Sequence, residues 1–235
     1  MAGYIGISSG ENARSSEFWA NFLQLERPEL VAPPEVARGA CIAENRNRLT
    51  KRALELGAEW CFYVDDDQLF HPLALKRLLS RNVDVISGLY LSREFPFRPV
   101  VFTEPDEPGV KGGYTLTLEP YDQGVLTVSA VGAGALLVRR QVLEQLNMPY
   151  WTLGQVDPAG WGDDFDFCYR VRQAGFKIRV DMDERVGHKV QGAIWPNYTK
   201  EHGWTTTLVA TDHPIASLPQ VRLVNNEEIL EMSGI

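Results

Sequence analysis

The sequence predicts an α/β fold in which helices flank a central, mainly parallel sheet that carries a small antiparallel patch. Three observations support this fold class. In the first half of the chain, short apolar segments alternate with amphipathic helical segments, as in βαβ units. One segment, residues 60–64, is continuously apolar, which suits a strand buried on both faces of a parallel sheet. After Tyr90 the rhythm changes to short apolar stretches between turns rich in Pro and Gly.

The first half is predicted to alternate strands and helices. Strands are expected over residues 4–8, 60–64 and 83–89. Helices are expected from Ser15 and Ser16, which can cap a first turn, over residues 40–56, which Gly57 ends, and from Pro72. Apolar residues with helical spacing should turn the first and third helices toward the core: Phe18, Trp19, Phe22, Leu23, Leu75, Leu78 and Leu79.

The second half is predicted to begin with short strands over residues 96–103, 114–118 and 125–130, which form the antiparallel patch. A strand over 134–138, a helix over 140–146, a loop over 147–162, a helix over 164–174 ended by Gly175, a strand over 177–181 and a loop over 186–189 follow. From Gln191 the periodicity fades. We therefore divide the chain into one domain over residues 1–190 and a C-terminal extension over 191–235 on the acceptor side.

Composition limits the classes of function. The net charge of −8 argues against a broad nucleic-acid-binding surface, which needs a basic stripe. A nucleotide ligand remains compatible, because one metal ion and one or two arginines can reverse the charge of a cleft. Three cysteines far apart, with no apolar leader and no apolar run long enough to cross a membrane, predict a cytoplasmic protein with reduced thiols and no membrane span.

The sharpest motif is the run Asp65, Asp66 and Asp67 at the carboxyl end of the apolar strand. Ligands of open α/β sheets bind beyond the carboxyl ends of strands, and adjacent carboxylates repel one another unless a cation is present. On an extended segment, Asp65 and Asp67 can face one ligand while Asp66 turns aside. We favour a Mg²⁺ or Mn²⁺ site that also takes substrate phosphates, over a solvated acidic loop.

Two weaker motifs follow. Asp163 and Asp164 lie at a predicted helix N-terminus, where a carboxylate can accept bonds from sugar hydroxyls or act as a general base. On its own, ordinary helix capping explains this pair better. His188 follows a predicted strand, and a lone loop histidine is more often a surface residue than a metal ligand. The order of the three motifs raises the chance that they converge on one site.

This combined order resembles GT-A-fold glycosyltransferases, and small family-2-like members from bacteria and phages are the most similar. The resemblance covers about residues 1–190 and rests on RGACIAENRNRL (38–49), the strand ending in DDD (65–67), VGAGALL (131–137), GDDFDFC (162–168) and GH (187–188). A DxD element alone is common by chance, but its position and the downstream motifs are more specific. The chain has Asp-Asp at 163 and 164, where the family often has Glu-Asp.

The resemblance implies a role for each matching residue. Asp65 and its neighbour Asp66 would contact the donor nucleotide, Asp67 would bind the metal with His188 and Asp65, and Asp164 would be the catalytic base with Asp163 beside it. The remaining donor-pocket positions implied by the resemblance are Ser8, Gly10, Arg46, Asn47, Gly132 and Gly134. Gly132 and Gly134 are equally well explained as a bulge at a strand start.

These observations predict a metal-dependent glycosyltransferase that uses Mn²⁺ or Mg²⁺. The donor would be a UDP- or GDP-sugar, and the acceptor a hydroxyl on a saccharide, lipid, protein or modified nucleobase. A nucleotidyltransferase is the alternative enzyme, although the segment SSGENARSS is a poor match to its phosphate loop. A non-catalytic nucleotide-sugar-binding protein would be expected to lose the metal or base carboxylates, and both are present. Metal-dependent hydrolysis would favour more than four histidines.

Overall fold

A computed structural model describes residues 2–10, 16–93, 97–103, 123–153, 162–189, 192–201 and 203–210. The strands within these ranges are β1 (Tyr4–Ser9), β2 (Glu35–Arg38), β3 (Trp60–Asp65), β4 (Gln68–Leu69), β5 (Val85–Leu89), β6 (Val101–Phe102), β7 (Val125–Val128), β8 (Ala130–Val131), β9 (Ala135–Arg139), β10 (Ile178–Arg185), β11 (Gly187–Lys189), β12 (Gly192–Thr199) and β13 (Gly203–Ala210). The helices are α1 (Ser16–Gln24), α2 (Ile42–Glu55), α3 (Ala74–Ser80), α4 (Arg140–Gln145) and α5 (Asp163–Gln173).

The central sheet has seven strands in the order β2-β1-β3-β9-β5-β10-β7. The pairing directions make β2, β1, β3, β5 and β10 run the same way, while β9 and β7 run opposite to them. The carboxyl ends of five strands therefore meet at one edge of the sheet. This mainly parallel sheet agrees with the fold class that the sequence predicts.

Helices cover both faces of the sheet. Apolar residues of α2, α4 and α5 pack in one core cluster, and those of α1 and α3 pack in another. β3 contributes to both clusters, with Cys61 and Tyr63 on one face and Phe62 and Val64 on the other. Its continuous apolar run is thus explained by burial on two sides.

Two predicted helix ends and most predicted core positions are confirmed. Gly57 and Gly175 follow α2 and α5 with φ of +74° and +87°, in the left-handed region that glycine adopts without steric cost. Phe18, Phe22, Leu75 and Leu78 are buried, and Trp19 and Leu79 are partly buried. The prediction for Leu23 was wrong, since 69% of its surface is exposed. α1 buries a narrower stripe than the run of apolar residues suggests.

The antiparallel patch is smaller than predicted. Within residues 97–103 only β6 forms a strand, and it pairs antiparallel with β8. The predicted strand over 125–130 divides into β7, which joins the edge of the central sheet, and β8. The predicted strand over 114–118 lies outside the described residues.

The predicted loop over 186–189 was wrong, and strands follow Gln191 although the periodicity of the sequence fades there. β11 lies within that loop and pairs with β4 and β12, and β12 pairs with β13 along eight residues. The result is a four-stranded antiparallel sheet in the order β13-β12-β11-β4. β13 is rich in threonine, which favours strands because it is β-branched but adds little hydropathy to the sequence pattern.

No helix in the described part of the chain is both long enough and apolar enough to cross a membrane.

Candidate functional site

The candidate site lies at the edge where the five strands end. β1 ends at Ser9 and β3 at Asp65, and these strands are paired in parallel with Ser8 opposite Asp65. Tyr90 directly follows β5, whose parallel neighbour β10 leads into the strand that carries His188. α2 follows β2, which ends at this edge, and α5 begins beside α2, because Asp163 in its first turn bonds to Arg46. The topology therefore brings the sequence motifs together.

Arg46 of α2 lies at the centre of the site. Its Nη2 donates to both carboxylate oxygens of Asp65 at 2.9 Å, and its Nη1 donates to Oδ2 of Asp163 at 2.8 Å. The side chain is only 4% exposed, and its guanidinium lies 5.3 Å from the ring centroid of Trp151. Burial opposes the charge, but Asp65 and Asp163 outweigh it and raise the pKa of Arg46 above its ordinary value. Arg46 is therefore a permanent cation between two acidic segments.

Asp67 and His188 form the second pair. Oδ2 of Asp67 lies 3.4 Å from Nε2 of His188, and Nδ1 of His188 lies 2.6 Å from the carbonyl oxygen of Leu91. A carbonyl only accepts hydrogen bonds, so Nδ1 carries a hydrogen. In the neutral ring, the Nε2 lone pair then faces a carboxylate oxygen, and this arrangement needs a proton or a cation between the two atoms.

Arg93 also contacts Asp67. Its Nη1 lies 2.9 Å from the same Oδ2 atom, and its side chain is 60% exposed. Burial raises the pKa of Asp67, but the hydrogen bond and charge of His188 and the charge of Arg93 outweigh burial and hold this pKa below its ordinary value. Asp67 is therefore an ionised carboxylate at neutral pH.

The Asp67–His188 pair fits a hard divalent cation that keeps most of its ligands outside the protein. Among the described residues, no group of three or more His, Cys, Asp or Glu side chains is arranged to hold a metal ion. Mg²⁺ and Mn²⁺ are commonly bound through one or two protein ligands together with water and substrate phosphates. Asp65, the third predicted metal ligand, directs both of its oxygens to Arg46 instead.

The end of β1 joins the acidic run through the backbone and one side chain. Asp66 turns away from its neighbours, since its Oδ2 accepts from Ser9 Oγ at 2.6 Å and its backbone N–H donates to Ser8 O at 3.3 Å. The Ser8 hydroxyl is buried and has no partner within the described residues. Gly10 is exposed, and a Cβ there would meet nothing within 4 Å. Among the described residues, Gly10 thus leaves open space at the end of β1, and the Ser8 hydroxyl is a buried polar group without a partner.

Asn47 has a structural partner that the sequence does not reveal. Its Nδ2 donates to Trp151 O at 2.7 Å, and its Oδ1 accepts from Trp151 N at 3.0 Å. The unpredicted residue Asn45, which is buried, donates to Ser9 O at 3.1 Å and to Gly39 O at 3.3 Å. The first turns of α2 therefore hold several neighbouring segments through Asn45, Arg46 and Asn47. Three consecutive polar residues in a helix that packs on a sheet are the sequence signal for such a role.

Asp164 lies in the first turn of α5, and its Oδ1 accepts from Phe165 N at 3.0 Å. Burial raises the pKa of Asp164 to about 6, with Arg46 opposing and Asp163 adding to this rise. The helix has no side-chain cap, because Gly162 occupies the N-cap position. Ordinary helix capping therefore does not account for Asp163 and Asp164 in the first turn of α5. Asp163 bonds to Arg46, and Asp166 accepts from Thr152 Oγ1 at 3.1 Å.

Tyr90 connects the two halves of the site and was not predicted. Its ring packs edge-on against His188 with centroids 5.5 Å apart, and its hydroxyl accepts from Gly134 N at 3.1 Å. Burial raises the pKa of Tyr90, and the charges of Asp65 and Asp164 raise it further. Tyr90 directly follows β5, which runs parallel to the acidic strand β3 and ends at the same edge of the sheet, and that position is the signal that could have identified it.

The predicted glycines pack against side chains. A Cβ on Gly132 would lie 1.9 Å from the Tyr90 hydroxyl, and one on Gly134 would lie 3.0 Å from Nε2 of Gln68. Both glycines therefore make room for Tyr90 and Gln68 beside the site. The predicted loop over 147–162 is described only at residues 147–153 and at Gly162.

No protein-family model and no curated protein matches this sequence. Among solved structures, the chain is similar to protein A197 from STIV, with a TM-score of 0.60 and 15% sequence identity over 91% of this chain and 96% of that chain. It also aligns with TarS 1-349 from S. aureus, with a TM-score of 0.45 and 13% identity over 77% of this chain and 58% of that chain. The likeness to the STIV protein extends over nearly all of both chains, and together with the sheet order it confirms the predicted α/β fold of the GT-A type.

Proposed function

We propose that this protein is a metal-dependent glycosyltransferase that moves a sugar from a nucleoside diphosphate donor to an acceptor hydroxyl with inversion of configuration. The support is the convergence of two acidic segments, one histidine and one buried arginine at the carboxyl edge of an α/β sheet. This edge is where such sheets bind ligands. The GT-A type of fold is compatible with this activity but does not by itself specify it.

The observation that carries the proposal is the Asp67–His188 pair. In the neutral form of His188, two acceptor atoms face each other at 3.4 Å, and the hydrogen bond from Nδ1 to Leu91 O orients the imidazole as the outer partners of metal-bound histidines do. We assign Mn²⁺ or Mg²⁺ to this pair, with the donor's phosphate oxygens and water as the other ligands. When bound, the cation neutralises the charge that develops on the departing nucleoside diphosphate.

The chain's own residues would bind the donor on either side of this pair. We assign the nucleoside to the end of β1, where Gly10 is exposed and the buried Ser8 hydroxyl lacks a partner among the described residues. Asp66 holds the end of β1 through Ser9, and Asp65 holds Arg46, so these carboxylates would shape the donor pocket. In this proposal, Asn47 and Gly134 support the pocket through Trp151 and Gln68.

Asp164 is assigned as the catalytic base. It would accept the proton of the acceptor hydroxyl while the oxygen forms a bond to the anomeric carbon from the side opposite the leaving group. The bond from that carbon to the diphosphate oxygen breaks with its electron pair, which leaves on the nucleoside diphosphate. A carboxylate with a pKa of about 6 is mostly ionised at neutral pH and is a stronger base than an exposed aspartate.

The donor class is a UDP- or GDP-sugar, and the acceptor is a hydroxyl on a saccharide, lipid, protein or modified nucleobase. The net charge of −8 makes a nucleic-acid acceptor the least suited of these. We assign the reaction to the cytoplasm, a reducing compartment that suits the unpaired Cys41, Cys61 and Cys168.

A panel of nucleotide sugars tests the proposal in the presence of Mn²⁺ and after chelation. The parent is compared with Asp67→Ala, Asp164→Asn and the control Asp84→Ala, whose carboxyl lies at the opposite edge of the sheet. We expect chelation or Asp67→Ala to abolish donor binding, and Asp164→Asn to bind the donor but turn over at least about 100-fold more slowly. The control should behave as the parent.

Other outcomes would redirect the assignment. Release of pyrophosphate from a nucleoside triphosphate and a sugar phosphate would indicate the nucleotidyltransferase instead. Metal-dependent donor binding without turnover on any acceptor, unchanged in Asp164→Asn, would favour the non-catalytic binding protein. If no nucleotide binds and Mn²⁺ has no effect, the proposal is wrong.

A further inference from the structure

We propose that Arg46 is a positioning residue that ties the acidic run after β3 to the first turn of α5, and so sets the base relative to the bound donor. This inference rests on the proposed function for the identity of the base, but the tie itself is independent of any ligand. It gives Arg46 a role different from the donor contact that the sequence predicts.

The contacts of Arg46 join elements that are far apart in the chain. Asp65 lies 19 positions after Arg46, and Asp163 lies 117 positions after it. Both terminal nitrogens of the guanidinium donate to these carboxylates at 2.8–2.9 Å. These hydrogen-bonding directions therefore serve the protein and not the donor.

Aromatic packing fixes the same connection from the side. The guanidinium lies over Trp151, which stacks on Phe167 of α5 with ring centroids 3.9 Å apart and planes 7° apart. Asn47, one residue after Arg46, holds the backbone of Trp151 through two hydrogen bonds. One turn of α2 is thus connected to α5 in two ways. Arg46 bonds to Asp163, and Asn47 holds Trp151, which stacks on Phe167.

The chemistry of the guanidinium suits this role better than that of an ammonium group. Its planar fork can bond two carboxylates in fixed directions, whereas a lysine offers one flexible point charge. Because Arg46 is buried, its removal would leave Asp65 and Asp163 as uncompensated charges, and such groups strongly destabilise their surroundings. The charged groups that act on Asp164 are Arg46, Asp163 and Asp65, and the neutral groups coupled to it are Tyr90 and Cys168.

The amide of Phe165 gives a reporter that needs no substrate, because it donates to Asp164 Oδ1 at 3.0 Å. The protein has ten phenylalanines, so selective ¹⁵N-phenylalanine labelling gives a countable spectrum in which Phe165→Leu identifies the signal. The pH midpoint of this signal is measured in the parent, Arg46→Met, Arg46→Lys and Asp163→Asn. Asp163→Asn removes only one side of the tie and serves where Arg46→Met fails to fold.

The two sides of the tie should move this midpoint in opposite directions. Loss of the arginine charge in Arg46→Met is expected to raise it by about one pH unit, and loss of a neighbouring negative charge in Asp163→Asn to lower it. Arg46→Lys should give a smaller rise, because a charge remains in a different geometry. Midpoints equal to the parent's in folded Arg46→Met and Asp163→Asn would overturn the tie.

Kinetics with the donor identified by the nucleotide-sugar panel test the catalytic consequence. We expect Asp163→Asn to lower kcat by about 10- to 100-fold with little change in donor KM, and Arg46→Lys to recover part of the loss seen in Arg46→Met. A raised donor KM with unchanged kcat would overturn the positioning role and indicate a donor contact. If the midpoints move as expected but no nucleotide sugar is turned over, the tie stands and the proposed function fails.

Discussion

Asp164 is subject to two opposing effects. The N-terminus of α5 favours a negative charge, whereas burial among Asp163 and Asp65 disfavours it. Burial wins and raises the pKa of Asp164 to about 6. The site therefore holds a carboxylate at a free-energy cost, as expected for a group kept for reactivity rather than for stability.

This cost predicts a pH-dependent gain in stability from Asp164→Asn. The pKa of an aspartate in an unfolded chain is about 3.9. Between about pH 4 and 6, the folded protein therefore holds a proton on Asp164 that the unfolded chain has lost. The contribution of Asp164 to the free energy of unfolding is lost as the pH rises through this range. At pH 7.5 we expect the free energy of unfolding of Asp164→Asn to be about 1–3 kcal/mol higher than that of the parent. At pH 4 we expect the two free energies to be equal. Urea denaturation at both pH values, with Asp84→Asn as the control, measures the difference. The same gain at pH 4 would contradict this reasoning.

Catalysis should follow the same titration. If Asp164 is the base, kcat/KM rises as pH increases through about 6, because only the ionised carboxylate accepts the proton. The measurement is a pH profile at saturating Mn²⁺. An acidic limb centred near pH 4 would indicate that another carboxylate limits the rate.

In the proposed metal site, a cation would compete with Arg93 for Oδ2 of Asp67, which Arg93 Nη1 contacts at 2.9 Å. We expect Arg93→Ala to bind Mn²⁺ about two- to five-fold more tightly in the absence of nucleotide, since an exposed ion pair opposes metal binding only weakly. Calorimetric titration of the parent, Arg93→Ala and the control Arg98→Ala, an exposed arginine nearby, measures the change. Weaker binding in Arg93→Ala alone would show that Arg93 supports the cation.

The sequence predicts which residues meet at the site better than it predicts their partners. Asp65 and Asp67 were expected at a strand end and Asp164 at a helix start, and both boundaries are visible in the sequence pattern, whereas His188 was expected in a loop and lies in β11. The bond of Arg46 to both acidic segments is not visible, since it depends on how α2 and α5 pack across the sheet. Tyr90 was missed because its contacts with His188 and Gly134 depend on how distant segments of the chain meet.

At the scale of elements, the segment around Gly132 is fitted to Tyr90. A Cβ on Gly132 would lie 1.9 Å from the Tyr90 hydroxyl and 2.7 Å from Cγ1 of Val100. We expect Gly132→Ala to destabilise the protein by about 1–3 kcal/mol, because buried groups must move apart. Denaturation of Gly132→Ala, Tyr90→Phe and the double variant measures the cost. Removal of the hydroxyl should recover part of it, and equal losses with and without the hydroxyl would contradict this explanation.

The elements that the sequence predicts well are those with a strong apolar pattern. β1, β3, β5, β9, α2 and α5 were predicted close to their observed bounds. β2 and the β12–β13 hairpin were missed because their residues are mixed in polarity and their pairing partners supply the information. β2, for example, is the edge strand Glu35–Arg38, held by β1 alone in the central sheet.

At the scale of the molecule, the site lies where two sheets meet. Asp67 follows a strand of the central sheet, whereas His188 belongs to the antiparallel sheet and lies opposite Gln68 in β4. A backbone hydrogen bond from Lys189 N to Asp67 O, at 2.8 Å, crosses the same junction. The distance between Asp67 and His188 therefore depends on the relative position of the two sheets.

This junction has a consequence for the stability of the fold. A cation held by Asp67 and His188 would join residues about 120 positions apart in the sequence, and because these two residues come together only in the folded chain, the cation would bind and stabilise the folded state alone. Mn²⁺ would then be a reversibly bound stabilising ion in a protein whose described cysteines are all unpaired. The melting temperature should rise with Mn²⁺ in the parent and much less in His188→Ala, so the ion that we assign to the transfer reaction would also protect the fold against heat.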